Sequence, residues 1–196
     1  MGEKKIILIV NGYGCHLDTP LGRIYLPKVV KYIKENYEQI GAVIFSGGYT
    51  QKKTARDISE ALLMANYVKA KLGDIRLPVY RMQEVAYTSY DNTFYAALGI
   101  EDIRNILGVD PQAKDIRIVH FCEAQRAPLV DMLDRHFLIR FVESIDDITI
   151  ETASWERADP YRQVRNMIYN KLAIKYPWLG LAEREHRIRL ERSKHI

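Results

Sequence analysis

The sequence predicts an α/β protein with a doubly wound, mostly parallel five-stranded sheet and a C-terminal helical extension. The first observation is that short apolar runs alternate with longer amphipathic stretches through about residue 143, which is typical of such a sheet. The second is that Lys5–Val10 is apolar at every position after its lysine, as expected of a strand covered on both faces. The third is that the alternation stops after Asp146 and Asp147. We therefore expect a sheet domain over residues 1–150 and a helical extension, packed on it, over residues 151–196.

The first half of the chain supplies two helices and two further strands. Arg23–Gln39 is predicted to be a helix because apolar and charged residues alternate at helical spacing. Ala42–Phe45 is the next buried strand. Thr54–Asp57 matches a capping box, which predicts a second helix from there to about Leu72. Arg76–Tyr80 is a short third strand.

The second half continues the alternation and completes the sheet. Asn92–Leu107 is a predicted helix, because Pro111 follows just beyond its end. Asp115–Phe121 is the fourth strand, Ala124–His136 a helix and Phe137–Val142 the fifth strand. Right-handed crossovers on both faces make 3-2-1-4-5 the expected strand order.

The extension is predicted to contain two helices. Asp159 and Pro160 are typical of an N-cap followed by proline at the first helical position, and this helix ends before Pro177. Glu183–Lys194 is a second, highly charged helix whose mixed signs indicate a solvated surface with i,i+4 pairs. Four aromatic residues are expected to dock the extension on the domain, namely Tyr161, Tyr169, Tyr176 and Trp178.

Composition limits the classes of protein that fit. The chain has 196 residues, a formal net charge of +4 and only two cysteines, which argues against a fold that depends on disulfides. The apolar run after Lys4 and Lys5 is too short for a signal peptide or a membrane span. We expect a cytoplasmic protein with no membrane partner. We also expect no nucleic-acid partner, because aromatic residues do not interleave with the basic ones. The oligomeric state stays open.

Glycines and polar residues end three of the predicted strands. The first strand ends in Asn11-Gly12-Tyr13-Gly14 and the second in Ser46-Gly47-Gly48. Cys122 and Glu123 end the fourth, with Arg126 one turn into the next helix. Ligands of open α/β sheets bind beyond the carboxyl ends of the strands, and turns with paired glycines expose backbone N–H groups there. This pattern predicts an anion site, with Arg126 placed to hold a phosphate or a carboxylate.

The combined motifs resemble the SanA/YdcF/ElyC-like family over roughly residues 5–142. The Ser46-Gly47-Gly48 turn and the Ser59-Glu60-Ala61 triplet match its pattern, and Arg23 corresponds to its first arginine. Ser89-Tyr90-Asp91-Asn92 stands in place of the family's Thr-x-Glu-Asn run. Arg126 and Ala127 match the His-x-x-Arg-Ala motif, but Glu123 replaces its histidine.

The resemblance implies a Rossmann-like fold and a small anionic or nucleotide-like ligand, with S-adenosylmethionine as one ligand to test. It implies that the ligand is bound by residues from all these motifs, namely Asn11, Gly12, Arg23, Ser46, Gly47, Gly48, Ser89, Asn92 and Arg126. Glu60 orients the ligand or transfers a proton, and Glu123 is the expected acid/base in place of histidine. Two alternatives stay open: a hydrolase or transferase acting on a phosphorylated or glycan-derived substrate, and a non-catalytic interaction module.

Residues of the types that bind metals also occur near two of the predicted strand ends. Metal-ligand types follow strand one and end strand four, namely Cys15, His16, Asp18, His120, Cys122 and Glu123. No pair has a recognised ligand spacing, and His120 and Cys122 alternate with Phe121 as core residues do. We therefore expect no metal and no Cys–His nucleophile system.

Overall fold

The computed structural model describes residues 4–51, 57–76, 79–107, 114, 116–155 and 160–195, with only the backbone described at 79–81, 106, 107, 160 and 162. Its five strands are β1 (Lys5–Asn11), β2 (Ile40–Ser46), β3 (Val79–Gln83), β4 (Ile116–Glu123) and β5 (Ile148–Ala153). All neighbouring strands are parallel, in the order β3-β2-β1-β4-β5. This confirms the predicted doubly wound, Rossmann-like α/β fold and the strand order.

Helices connect these strands and form the extension. They are α1 (Leu26–Glu35), α2 (Glu60–Leu72), α3 (Ser89–Leu107), α4 (Ala127–Phe137), α5 (Pro160–Lys175) and α6 (Leu181–Ser193). A π-helical turn (Leu21–Tyr25) precedes α1, and 3₁₀ turns lie at Tyr37–Gln39, Ala124–Arg126, Ile139–Phe141, Ile145–Asp147 and Pro177–Leu179. None of the helices within the described ranges is long and apolar enough to cross a membrane.

Two apolar clusters cover the two faces of the sheet. Ile6, Leu8 and Val10 of β1 belong to the cluster that contains α1 and α2. Ile7 and Ile9 belong to the cluster that contains α3, and α4 packs beside α3. Because successive strand side chains point to opposite faces, a strand covered on both sides must be apolar throughout. The continuous apolar sequence of β1 therefore follows from its central place in the sheet.

The fifth strand is Ile148–Ala153, so the prediction of a strand at Phe137–Val142 is wrong. That segment contains the Ile139–Phe141 turn, whose Phe141 is buried with Leu138 in the α3 cluster. A short apolar run fits a buried turn as well as a buried strand, and periodicity does not separate them. The true β5 is an edge strand, only partly buried, and it extends three residues past position 150.

Two helices begin at residues other than those predicted. Thr54 lies outside the described residues, and α2 begins at Glu60, where the Ser59 Oγ accepts the Leu62 N–H at 2.9 Å. The third helix begins at Ser89, three residues before its predicted start at Asn92. Its cap is Thr88, whose Oγ1 accepts the Asp91 N–H at 3.0 Å while Asp91 accepts the Thr88 N–H at 3.0 Å. This reciprocal pair satisfies two backbone donors at the helix start.

The extension packs over α3 and α4 at the carboxyl edge of the sheet. His186 of α6 lies 2.9 Å from an Asp91 carboxylate oxygen, and Tyr169 of α5 donates to the Leu181 carbonyl at 2.6 Å. The prediction that Tyr161 and Trp178 also dock the extension is wrong, since they are 88% and 75% exposed. The first contact joins the extension to α3, and the second joins its two helices to each other.

Candidate functional site

A cavity of about 790 Å³ lies between the strand ends and the extension. Its wall on the sheet side consists of the loops after β1, β2 and β3 and the first turns of α2, α3 and α4. The lining residues there are Gly12, Tyr13, Gly14, Thr50, Gln51, Glu60, Ala86, Tyr87, Thr88, Ser89, Asn92, Arg126 and Leu129. This is the edge at which open α/β sheets bind their ligands.

The structure brings together five of the residues that the sequence predicted for the site. These are Gly12, Glu60, Ser89, Asn92 and Arg126, all of which line the cavity. Five predicted residues are not among the lining residues, although all of them are buried at or just after a strand end: Asn11, Ser46, Gly47, Gly48 and Glu123. Arg23 is exposed in the turn before α1 and is not a lining residue either.

The strand-end glycines do not present free N–H groups. Gly12 donates to the Ser46 carbonyl at 2.7 Å, Gly47 to the Gln83 carbonyl at 3.1 Å and Gly48 to the Ala86 carbonyl at 2.7 Å. These bonds continue the hydrogen-bond ladder of the sheet past the ends of β1 and β2, and they connect the segments that follow β1, β2 and β3. The expectation that these backbone donors are bare is therefore wrong, and ligand binding by this turn stays a prediction.

The glycines make room for the side chain of Glu60. A Cβ at Gly12 would overlap Glu60 Oε2, and one at Gly47 would lie 2.7 Å from Glu60 Cβ. The carboxylate of Glu60 accepts the Gly14 N–H at 2.7 Å and the Thr50 hydroxyl. Glu60 is only 6% exposed. Because Gly14 follows β1 and Thr50 follows β2, these bonds make Glu60 the side chain that joins the two loops.

Asn92 joins α3 to the end of β2. It lies inside the helix, beyond the Thr88 cap, so its burial is not explained by a capping role. The Ser46 Oγ is 3.2 Å from Asn92 Oδ1 and donates to it. This bond connects the Ser-Gly-Gly turn to a residue that reaches the cavity.

Arg126 is held between an aromatic ring and a carboxylate. Its guanidinium lies 5.0 Å from the centre of the Tyr13 ring, and its Nε lies 3.8 Å from Glu123 Oε2. The Tyr13 hydroxyl accepts the Glu123 N–H at 2.9 Å, and burial raises the pKa of that hydroxyl above its ordinary value. A guanidinium fixed in this way is oriented before any ligand arrives.

Glu123 has the contacts of a positioning residue. It is fully buried, its Oε1 accepts the Gln125 N–H at 3.2 Å, and its other oxygen faces Arg126. It thus caps the Ala124–Arg126 turn and steadies the arginine. Its predicted acid/base role stays a prediction, and the lining of the cavity does not include it.

The cysteines and histidine at these strand ends belong to the core. Burial raises the pKa of the Cys15 and Cys122 thiols to about 12 each, so both are protonated at neutral pH. His120 lies 2.9 Å from Asp134, both are fully buried, and burial raises the pKa of Asp134. Among the described residues no group of three or more His, Cys, Asp or Glu side chains is arranged to hold a metal ion.

The second wall of the cavity comes from the extension, which the sequence interpretation left out of the site. Its lining residues are Arg165, Asn166, Tyr169 and Asn170 of α5 and Glu185, Ile188, Arg189, Arg192 and Ser193 of α6. The α5 residues recur at i, i+1, i+4 and i+5, which is a polar stripe along one helix face. This spacing is the sequence signal that could have indicated a polar face of α5 turned toward the site. The charge pattern of α6 predicts a solvated surface with i,i+4 pairs, and Arg189 does pair with Glu185 at 2.9 Å. The pattern does not indicate that Arg189 and Arg192 line a cavity.

Four arginines and two carboxylates therefore line one cavity. Arg126 comes from the sheet side, and Arg165, Arg189 and Arg192 from the extension. The carboxylates are Glu60, which is bonded to the loops, and Glu185, which pairs with Arg189. In comparisons with known proteins, no family model matches the chain, and no curated protein or solved structure matches it significantly.

Proposed function

We propose that this protein binds a small anionic ligand of nucleotide-like character in the cavity between the strand ends and the extension. The observation that carries the proposal is that four arginines line this cavity. Arg126 comes from the turn before α4, Arg165 from α5, and Arg189 and Arg192 from α6. Guanidinium groups form paired, charge-assisted hydrogen bonds with phosphate and carboxylate groups. We also propose, on the motifs given above, that the chain is SanA/YdcF/ElyC-like.

The size and the lining of the cavity support a nucleotide-like ligand. About 790 Å³ falls within the range of small-molecule and cofactor sites. The aromatic side chains of Tyr13, Tyr87 and Tyr169 offer apolar contact for a ring, while Asn92 and Asn166 offer amide groups for hydrogen bonds. Phosphate would face the arginines and a base or sugar the aromatic and amide groups.

S-adenosylmethionine is a weaker candidate than a phosphate-bearing nucleotide. Its sulfonium and ammonium groups are both cationic and only its carboxylate is anionic, so four arginines favour it less. The carboxylates of Glu60 and Glu185 are the groups that would face its cations, but both are already bonded within the protein. Of the two predicted acid/base residues, only Glu60 lines the cavity, so the proposal is one of binding and names no reaction.

A thermal-shift experiment tests the proposal with named probes. The full chain is heated with ADP, with glucose 6-phosphate and with S-adenosylmethionine, because a ligand that binds only the folded state raises the melting temperature. We expect ADP to raise it most. In Arg192→Ala the same rise should need about tenfold more ADP, since a hydrogen bond to a charged group contributes about 1.5–3 kcal/mol.

Arg187→Ala is the matched control, because Arg187 lies on α6, is exposed and does not line the cavity. It should leave the response to ADP unchanged. A wild-type chain that responds to none of the three probes, or an equal loss in Arg187→Ala, would contradict the proposal. A response to S-adenosylmethionine alone would replace the phosphate-bearing class with that ligand.

A further inference from the structure

The outer face of α5 is an apolar stripe without a partner among the described residues. Tyr161, Val164, Ile168 and Leu172 follow one another at spacings of three and four, and each is at least 41% exposed. Such spacing places all four on one side of a helix. Trp178 and Leu179 in the next turn are also exposed. Scattered single apolar residues are ordinary on a surface, but a continuous stripe indicates an interaction surface.

The charge of this region is of one sign. Between residues 160 and 182 the sequence has four basic residues and no Asp or Glu, so the rest of the chain carries equal numbers of the two signs. Lys171 and Lys175 are exposed, and at 100° per residue they lie beside Ile168 on the same side of α5. The whole net charge of +4 is therefore located in the segment that carries the stripe.

From the stripe and its charge we infer that the outer face of α5 lies on an anionic lipid surface. Apolar side chains of a surface helix enter the boundary between headgroups and acyl chains, and flanking lysines contact anionic headgroups. Tryptophan and tyrosine are enriched at that depth, and here Trp178 and Tyr161 are the two most exposed of these side chains. This proposal replaces the expectation of no membrane partner.

A second copy of the chain fits this face less well. A two-fold contact of α5 with α5 would bring together two copies of Lys171 and Lys175, with no Asp or Glu between residues 160 and 182 to offset them. Like charges brought together at an interface are repulsive. Anionic lipid supplies the complementary charge that a second copy lacks.

Vesicle sedimentation tests the inference with the full chain. Vesicles of phosphatidylcholine alone are compared with vesicles that also contain phosphatidylserine. We expect the protein to sediment with the anionic vesicles, to sediment much less with the neutral ones, and to dissociate as salt is raised. A wild-type chain that does not sediment with anionic vesicles, or that binds both kinds equally, overturns the inference.

Matched variants test the face itself. Ile168→Asp should abolish sedimentation, whereas Ile24→Asp, at an isoleucine of similar exposure before α1, should not. Reversing Lys171 and Lys175 to Glu should lower the partition coefficient at least about tenfold, because each basic residue near an anionic surface contributes a factor of about five. Lys34→Glu on α1 is the control for charge. Equal loss in the controls overturns the inference.

Two further readouts keep the result unambiguous. Circular dichroism shows whether Ile168→Asp is folded, and Trp178→Ala replaces it if it is not, since Trp178 is 75% exposed. Light scattering measures the oligomeric state. If the wild-type chain is a dimer that Ile168→Asp dissociates, and if it binds no vesicles, the face belongs to a second copy and the inference is overturned. Ile168, Lys171 and Lys175 do not line the cavity, so the response to ADP is an independent measurement.

Discussion

The two walls of the cavity are built on different principles. On the sheet side, Gly12, Gly47 and Gly48 donate their N–H groups to carbonyls at or just beyond the ends of neighbouring strands, and Glu60 accepts bonds from the loops it touches. On the extension side, long side chains with charged ends reach the cavity from two helices. The sheet wall is tied together by backbone N–H groups and one buried carboxylate, whereas the extension wall consists of long side chains, of which Arg189 also pairs with Glu185.

The difference teaches how to interpret glycine at the end of a parallel strand. The turn at Ser46-Gly47-Gly48 has the composition of an anion-binding loop, yet its N–H groups are used and its missing side chains admit a carboxylate of the same chain. A buried carboxylate that clamps glycine-containing loops gives a rigid frame. Recognition is then left to the arginines held by that frame and by the extension.

The largest expected effect tests the frame. Gly12→Ala places a methyl group against Glu60, and overpacking of a closed site costs about 2–3 kcal/mol of unfolding free energy. Urea denaturation measures it. Gly41→Ala is the control, since its methyl group would approach the Lys5 Cβ at 3.2 Å, which needs a shift of only a few tenths of an ångström, and it should cost less than about 1 kcal/mol.

A double-mutant cycle shows whether Glu60 is the cause. In a Glu60→Gly background the side chain that the new methyl group meets is gone, so adding Gly12→Ala should cost less than about 1 kcal/mol more. Equal costs in the two backgrounds would mean that Gly12 is needed for its backbone alone. The frame would then not depend on a carboxylate between glycines.

A middle-sized effect tests whether the extension is a separate cooperative unit. His186→Ala removes the contact with Asp91, a partly buried pair, and should lower the stability of the extension by about 0.5–1 kcal/mol. Amide hydrogen exchange should become faster in α6 and stay unchanged in β1. His195→Ala, at an exposed histidine after α6, is the control. Equal acceleration in α6 and β1 would show that frame and extension unfold as one unit.

The sheet could be predicted from sequence because its signals are local. The β-branched apolar run Lys5–Val10 indicates a buried strand, and crossover handedness then limits the strand order. The fifth strand was missed because Phe137–Val142 is more apolar than the partly buried edge strand Ile148–Ala153. Depth of burial depends on the tertiary neighbours of a segment, and a single sequence does not contain them.

The site could be predicted on one side only. Residues next to strand ends, such as Glu60, Asn92 and Arg126, share an edge by topology, and their position follows from the fold class. Arg165 and Arg192 reach the cavity only because α5 and α6 fold back over α3 and α4. That docking depends on long-range contacts such as His186 with Asp91, which no spacing along the chain reveals.

The smallest expected effect tests whether the frame owes its stability to buried contacts rather than to surface ion pairs. Lys4 lies 2.8 Å from Asp147 at the opposite edge of the sheet, and its hydrogen bond lowers the pKa of that carboxyl. An acid whose pKa is lowered in the folded state stabilises the fold above its unfolded pKa, and this contribution is lost as pH falls through the folded value.

Lys4→Met should return the pKa of Asp147 toward its ordinary value, which an NMR titration of the carboxyl carbon measures. It should also flatten the acid limb of the curve of unfolding free energy against pH. Lys31→Met, which breaks the exposed pair with Glu35, should leave Asp147 unchanged. An unaltered pKa of Asp147 in Lys4→Met would mean that the Ser144 N–H, at 3.2 Å, holds this carboxylate, and that the frame is independent of its surface charges at this edge as well.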